Sequence, residues 1–346
     1  MADVMDEIDL HAHARNGTLN TVPAGALTVE RLTAGNAAGN TPLHTAARYG
    51  ALKDLPAAVL TTAALTRKND SGYTPLHHAA AGGHLAQIPA DFLTADLLAS
   101  RSNSGYTVFH VAAANGHLDQ LPPALVTAEV ILSRTDLDNN LLHEAAEAGT
   151  LDRVPAAFVT AGNLRTQNIS GETVYHVAAL NGNFAQIPAE AISAEALMTQ
   201  TNSGDTVFHA AAIAGNLAQL PAELLTHDHL VAASKSGFTA IHAAAETGQL
   251  RHIPADQLTR DLLLTRNDNG DTPLHAAAFE GHLDQIPAEL MTEALLNVRN
   301  YEGLTVGRIA INRGFVAQLP PALRPKAPGL IGKVLLKAGI SRPPFA

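Results

Sequence analysis

Thr74-Pro75-Leu76-His77 stands in the same spelling at Thr41-Pro42-Leu43-His44 and at Thr272-Pro273-Leu274-His275, each copy 33 residues or a multiple of 33 from the others. Variants in the same register begin at Thr107, Asn140, Thr173, Thr206, Thr239 and Thr305, and a degenerate copy ends at His11. The spacing predicts ten repeats, the first starting near Met5 and the last near Glu302, without insertion or deletion. Strict spacing has a mechanical cause: each repeat rests on the next, and one extra residue would misalign both of its interfaces.

Positions are counted from the fingertip, so that Ser71 is position one. Thr at four is a natural N-cap, Pro at five suits the first helical turn, and apolar residues at six, nine and ten share one helical face. In this repeat these are Thr74, Pro75, Leu76, Ala79 and Ala80, and Gly83 ends the helix where a left-handed residue is wanted. The same glycine recurs from Gly17 to Gly314. Alanine at nine and ten lets neighbouring helices come close. The stretches Asn69-Asp70-Ser71-Gly72, Asn103-Ser104-Gly105, Asn202-Ser203-Gly204 and Asp268-Asn269-Gly270 read as tight turns. Leu137-Asp138-Asn139-Asn140 lacks both the fingertip glycine and the N-cap threonine, which predicts a locally altered finger in the middle of the array.

The pattern T-P-L-H-x-A-A-x-x-G-H-L at a period of 33 residues resembles the ankyrin repeat over about residues 5 to 320. The resemblance implies an all-α solenoid of L-shaped units, each two antiparallel helices with a projecting hairpin or turn finger, binding proteins through the fingertips and the concave helix face. It also implies that the imidazole of T-P-L-H hydrogen-bonds its own repeat's Thr hydroxyl and loop backbone. The expected organisation is an N-terminal capping repeat over 1–37, eight internal repeats over 38–301, a degenerate last repeat over 302–322 and a basic cap or tail over 323–346. At about 10 Å per repeat the array would be roughly 100 Å long.

The second half of each repeat departs from the ankyrin pattern, which places a long Leu- and Val-rich helix after the glycine. This chain repeats L-x-Q-I-P-A-x-L-L-T, as in Leu283 to Thr292, with proline at position nineteen from Pro23 to Pro320. Proline in a helix interior costs about 3 kcal/mol and disfavours helix at the residue before it. The proline therefore predicts a helix start, followed by about five helical residues. Thr or Ser at twenty-four then reads as another N-cap, as in Thr94-Ala95-Asp96 and Thr127-Ala128-Glu129, so two short turns replace one outer helix. The alternative is an ordinary second helix with a kink. Apolar residues at fifteen and eighteen, and mostly at twenty-two, twenty-three and twenty-eight, should point inward.

Composition agrees with many small interfaces: 4% of residues are aromatic, and Trp and Cys are absent, leaving Ala, Leu, Ile and Val to carry burial. Without cysteine there is no disulfide framework, no Cys-containing zinc site and no cysteine nucleophile. Met1 to Leu10 carry acids and no apolar run, so no signal peptide is expected, and no stretch nears the ~18 apolar residues of a membrane-spanning helix. The expected location is the cytoplasm, or outside the cell by a route that needs no such signal.

The net charge is -10, but after Glu302 there is no acid, only Arg308, Arg313, Arg324, Lys326, Lys333, Lys337 and Arg342, so the rest of the chain carries about -17. A body this acidic is repelled by nucleic-acid backbones along most of its length. Leu330, Ile331, Val334, Leu335 and Leu336 with Lys333 and Lys337 fit one amphipathic helix. That helix reads either as a cap over the last repeat or as a basic anchor for an anionic surface or nucleic acid.

Of seventeen histidines, nine (His11, His44, His77, His110, His143, His176, His209, His242 and His275) occupy position seven. Stacked helices lie about 8–10 Å apart, whereas zinc needs nitrogens about 2.0–2.1 Å from one centre, so successive rungs cannot share an ion. His84, His117 and His282 follow the same rule. His227-Asp228-His229 is a local pair with no third ligand in view. There is no G-x-S-x-G elbow, no phosphate-cradling loop with Lys and no H-E-x-x-H, and no catalytic residue or cofactor is assigned.

Positions fixed by stacking cannot vary freely, so recognition should fall on one, three, eight, eleven and twelve. The candidates are Arg48, Tyr49, Tyr73, Tyr106, Glu144, Glu147, Glu172, Asp205, Phe238, Glu246, Asp271, Phe279 and Glu280. Aromatics among acids suit a protein partner with apolar anchors and a basic rim, bound by a monomeric scaffold, an adaptor or a secreted effector, with no small-molecule substrate.

Overall fold

The computed structural model describes residues 8–324. The start of the first repeat and the amphipathic segment beginning at Leu330 lie outside the described residues, and with them the choice between cap and anchor. The chain forms two compact bodies, Met1–Ala196 and Leu197–Ala346, each described by itself. In the first, inner helices run over Leu10–Asn16, Pro42–Tyr49, Pro75–Gly82, Val108–Ala114, Leu141–Ala148 and Val174–Leu180; in the second, over Val207–Ile213, Ala240–Glu246, Pro273–Glu280 and Val306–Arg313. Within each body every inner helix packs on the next in sequence, as in a solenoid. Among the described residues the only strand-like pairing is in isolated bridges at the finger bases, such as Gln167 with Thr173.

The inner helix forms as its sequence dictates. Thr41 is extended, its hydroxyl accepts the His44 N–H, Pro42 occupies the first turn, and Gly50 at φ 75° closes the helix in the left-handed region. Ala46, Ala47, Ala79 and Ala80 are fully buried, so the helices meet on methyl groups. Positions fifteen, eighteen and twenty-eight point inward as expected: Leu85, Ile88 and Leu98 are buried, as are Leu52, Leu55 and Leu65 one repeat earlier.

The buried polar groups join one repeat to the next. His44 Nδ1 accepts the Thr41 N–H at 3.0 Å and lies 2.9 Å from the Thr41 hydroxyl, while Nε2 donates to the Tyr73 carbonyl at 3.0 Å. Tyr73 belongs to the following repeat. The Thr contact implied by the resemblance is present, but this carbonyl lies one repeat further on than the ring's own loop. His77 reaches Tyr106 at 3.1 Å and His143 reaches Glu172 at 3.1 Å; in the second body His242 reaches Asp271 at 3.0 Å and His275 reaches Leu304 at 3.2 Å. A ring that accepts at Nδ1 and donates at Nε2 is neutral.

A second bridge uses the glutamine of L-x-Q-I-P, whose role the sequence reading left unassigned. Gln120 Oε1 accepts the Leu85 N–H at 2.9 Å and its Nε2 donates to the Gly83 carbonyl at 2.8 Å, so one amide clamps the helix-ending turn of the preceding repeat. Gln186 does the same to Leu151 and Gly149, at 2.9 and 2.7 Å, and Gln318 repeats it on Leu283 and Gly281.

The outer segment differs from expectation in one respect. Around Pro89 lie three short turns, a 3₁₀ turn at Leu85–Gln87, another at Ala90–Phe92 and a single α-turn at Ala95–Leu98, where two had been expected. Proline forces Ile88 into the extended region, which ends the first turn, and Pro89 itself is extended (φ -56°, ψ 138°), preceding the second turn instead of lying in it. The turn after proline is three residues long, not five, and no kinked continuous helix forms. Thr94 caps the last turn through the Leu97 N–H, and Thr61, Thr127, Thr160, Thr259 and Thr292 do likewise.

The finger over 135–140 is not altered in its backbone, contrary to expectation. Asp138 takes φ 58°, the same left-handed conformation that Gly105 takes at 79°, and Asn140 replaces threonine as the cap by accepting from Leu142 and His143. Asp tolerates this region better than most residues, which is why the glycine can be missing. Arg134 Nη1 steadies the turn, donating to the Asp138 carbonyl at 2.6 Å and to Gln167 in the next finger at 2.7 Å.

Burial is the first cause that pushes His44, His77, His110, His143 and His242 down to about 4, partly opposed by the carbonyl each ring bonds. In the unfolded chain these rings titrate near 6.5, so between those values the unfolded chain binds more protons. Thermal melts should therefore show stability nearly flat just above pH 6.5 and falling steeply as pH drops from about 6.5 toward about 4. A melting temperature unchanged across that window would contradict buried, neutral bridging rings.

Candidate protein-binding surface

The positions left over by these bridges form the candidate surface. In the first body, Arg48 and Tyr49 are exposed at the end of Pro42–Tyr49, and Glu147 is exposed two inner helices past Pro75–Gly82. Tyr73, Tyr106 and Glu172, all at position three, are half-buried. Each tyrosine ring stands edge-on to the imidazole of its own repeat, Tyr73 to His77 at 5.3 Å between centroids and Tyr106 to His110 at 6.1 Å. These buried imidazoles thus also orient the aromatic groups of the finger bases.

Glu144 is buried at 4% exposure, unlike the other acids of this set in the first body. The Tyr106 hydroxyl donates to its carboxylate, and the Asn139 amide donates to Oε1 at 3.0 Å. The network continues through Asn168, whose amide reaches both Asn139 Oδ1 and Glu172 Oε2 at 3.0 Å. Burial pushes the Glu144 carboxyl up, against the hydrogen bonds from Asn139 and Tyr106 that favour its charge. Burial and the Glu144 charge push the Tyr106 hydroxyl up as well.

In the second body Glu280 is exposed, while Asp205, Phe238, Glu246 and Phe279 are half-buried. Phe238 lies tilted against His242 at 5.5 Å. The Arg313 guanidinium sits 3.8 Å over the Phe279 ring and its Nε donates to the Phe279 carbonyl at 2.9 Å. Asp271 is buried, its Oδ1 taking the Asn300 amide at 2.8 Å. Glu144 and Asp271 therefore work inside the array, and the exposed members of the set are Arg48, Tyr49, Glu147 and Glu280.

The His227-Asp228-His229 cluster does not converge. His227 Nδ1 lies 3.4 Å from Asp228, whereas His229 stacks on the buried Phe208 ring at 5.1 Å and its Nδ1 bonds the Leu224 carbonyl at 2.7 Å. Among the described residues no three His, Asp or Glu side chains are placed to hold a metal ion, and no helix is long and apolar enough to cross a membrane. Sequence reasoning also passed over Leu137 and Ile169, which are 57% and 58% exposed on adjacent fingertips.

The ankyrin repeat family model matches residues 269–301. That span begins at position one and ends at position thirty-three of a single repeat, the one containing Thr272-Pro273-Leu274-His275. The matched repeat packs on the inner helices on either side of it, shares its threonine cap with both, and shares its bridging histidine with the preceding one, His242.

The helical repeats on either side of the matched one are consistent with an ankyrin-like repeat protein.

No curated protein matches the chain. Ankyrin repeats are a protein-interaction family whose members generally act as non-catalytic scaffolds. The chain departs from the ankyrin sequence pattern in its outer face, which is built of short turns.

The Glu144 network gives a direct check. Its folded-state pKa is raised, so the stability linked to this group is full below the unfolded value and declines as pH rises through the folded one. Glu144→Gln should melt at or above the wild-type temperature at pH 7, with the difference vanishing below about pH 4. Glu144→Ala, which strips the acceptor from Tyr106 and Asn139, should lose about 1–3 kcal/mol in urea unfolding. A Gln variant as damaged as the Ala variant would contradict this account.

Proposed function

We propose that the chain is a non-catalytic scaffold that binds a protein partner along the inner helices and finger bases, with specificity set by the side chains that stacking does not consume. The observation that carries this reading is the division of labour on one helix. In Pro42–Tyr49, Thr41, Leu43, His44, Ala46 and Ala47 are buried in repeat-to-repeat contact, while Arg48 and Tyr49 face outward. Leu141–Ala148 divides the same way, with Glu147 outward.

The first body presents a graded surface, with Arg48 and Tyr49 at one end, the Tyr73 and Tyr106 ring edges next, and Glu147 and Glu172 beyond. Aromatic groups held by buried imidazoles lose little freedom on binding, which favours them as anchors. The acidic end selects a partner with a basic rim, and Arg48 sets the direction in which that partner lies. Such a surface suits an adaptor, or an effector that acts on another cell's proteins. Ankyrin resemblance by itself supports binding in general and names no partner.

The test is quantitative affinity capture with the intact protein and with a triple variant, Arg48→Glu, Tyr49→Ala and Glu147→Lys, whose residues are exposed and leave the bridges intact. The variant should keep the wild-type melting temperature and recover the partner at least about tenfold less well. Equal recovery of the same partners by both proteins would refute the assignment.

A further inference from the structure

The fingertips follow a rule. At positions thirty-three and one they carry small or polar residues: Asp70 and Ser71, Asn103 and Ser104, Asn202 and Ser203, Asp268 and Asn269. Leu137 at position one and Ile169 at position thirty-three break the rule on adjacent fingers, whereas Tyr301, also at thirty-three, breaks it alone on a later one. The Ile169 N–H donates to the Leu137 carbonyl at 3.0 Å, so the two residues stand side by side on neighbouring fingers. Their exposures of 57% and 58% are among the highest for large apolar residues in the described chain.

The rung is also held stiff. Arg134 ties the Asp138 carbonyl to the Gln167 carbonyl across the same two fingers, and Asn168 links to Asn139 beside it. Aliphatic groups exposed at a projecting tip leave apolar surface in water, which carries a free-energy cost that a partner can relieve. Two carboxylates, Asp136 and Asp138, stand beside the pair, while the Arg134 guanidinium is engaged by backbone carbonyls. Asp138 is exposed and makes no ion pair among the described residues, and Asp136, 60% exposed at its side chain, pairs with Arg101, itself 49% exposed, at 3.3 Å.

We infer that Leu137 and Ile169 form an apolar fingertip anchor for a protein partner that presents an aliphatic or aromatic side chain beside a lysine or arginine. The apolar side chain covers the Leu137–Ile169 pair, and the cation faces Asp136 and Asp138. Clamped fingers bring the anchor to the partner already ordered, so less conformational freedom is lost on binding. This rests on the protein-binding reading above but assigns a separate contact, on the fingertips and not on the inner helices.

The experiment uses the intact chain and an array of short synthetic peptides in which Leu or Phe is flanked by Lys and Arg, by Asp and Glu, or by Ser. The wild-type protein should prefer the basic-flanked apolar peptides. Leu137→Ser with Ile169→Ser should weaken that binding at least about tenfold, whereas Leu137→Met with Ile169→Val should retain it, and both variants should melt as the wild type does. Binding that survives Leu137→Ser with Ile169→Ser but falls in the Arg48, Tyr49 and Glu147 variant would overturn the fingertip anchor and leave the inner-helix reading standing. A preference for acidic flanks, no peptide bound at all, or a serine effect confined to self-association in sedimentation would each overturn it too.

Discussion

A neutral imidazole with one nitrogen turned to its own helix start and the other to the next finger is the interaction on which this molecule depends. His44 receives the Thr41 N–H at Nδ1 and gives its Nε2 proton to Tyr73. Burying these groups without partners would cost about 1–3 kcal/mol each, so the ring, the cap and the following carbonyl must arrive together. The glutamine bridge imposes the same demand on the far side of the helix, where Gln120 needs both Leu85 and Gly83. Where both bridges span one interface, as His77 to Tyr106 and Gln120 to Leu85 do, they leave no slack for an added or missing residue, which is the physical content of the constant period.

Much of this was legible in the sequence, and the misses have definable causes. The inner helix could be read because cap, proline, alanine pair and glycine are local signals, each acting within a turn. Proline at nineteen was informative for the same reason: it lacks an N–H and constrains its predecessor, so the break before Pro89 follows from chemistry that one residue carries. The 3₁₀ turn at Leu85–Gln87 was not anticipated, since a turn of three residues is too short to show periodicity. Gln120 recurs in kind at Gln87, Gln186, Gln285 and Gln318, but its purpose shows only when the preceding repeat is placed beside it.

The recognition surface was legible in outline and less so in detail. Variation between copies marked Arg48, Tyr49 and Glu147, which are exposed, but it also marked Glu144 and Asp271, which are buried. Variation shows that stacking does not fix a residue's type. It does not show that the residue faces water, because an amide such as Asn139 or Asn300 can recruit it inward. The finger at Asp138 teaches the converse: a missing glycine suggested a changed backbone, yet Asp kept the left-handed turn and Arg134 braced it. What changed there was the chemistry displayed, with Leu137 and Ile169 brought to the tip.

Both surfaces presuppose repeats joined by neutral rings, and nitrogen-15 NMR of the imidazoles tests that most directly. The account predicts that His44, His77, His143 and His242 carry their proton on Nε2 and stay uncharged as pH is lowered through 6 toward about 4. Rings protonated on Nδ1, or titrating near 6.5 as free imidazole does, would contradict it.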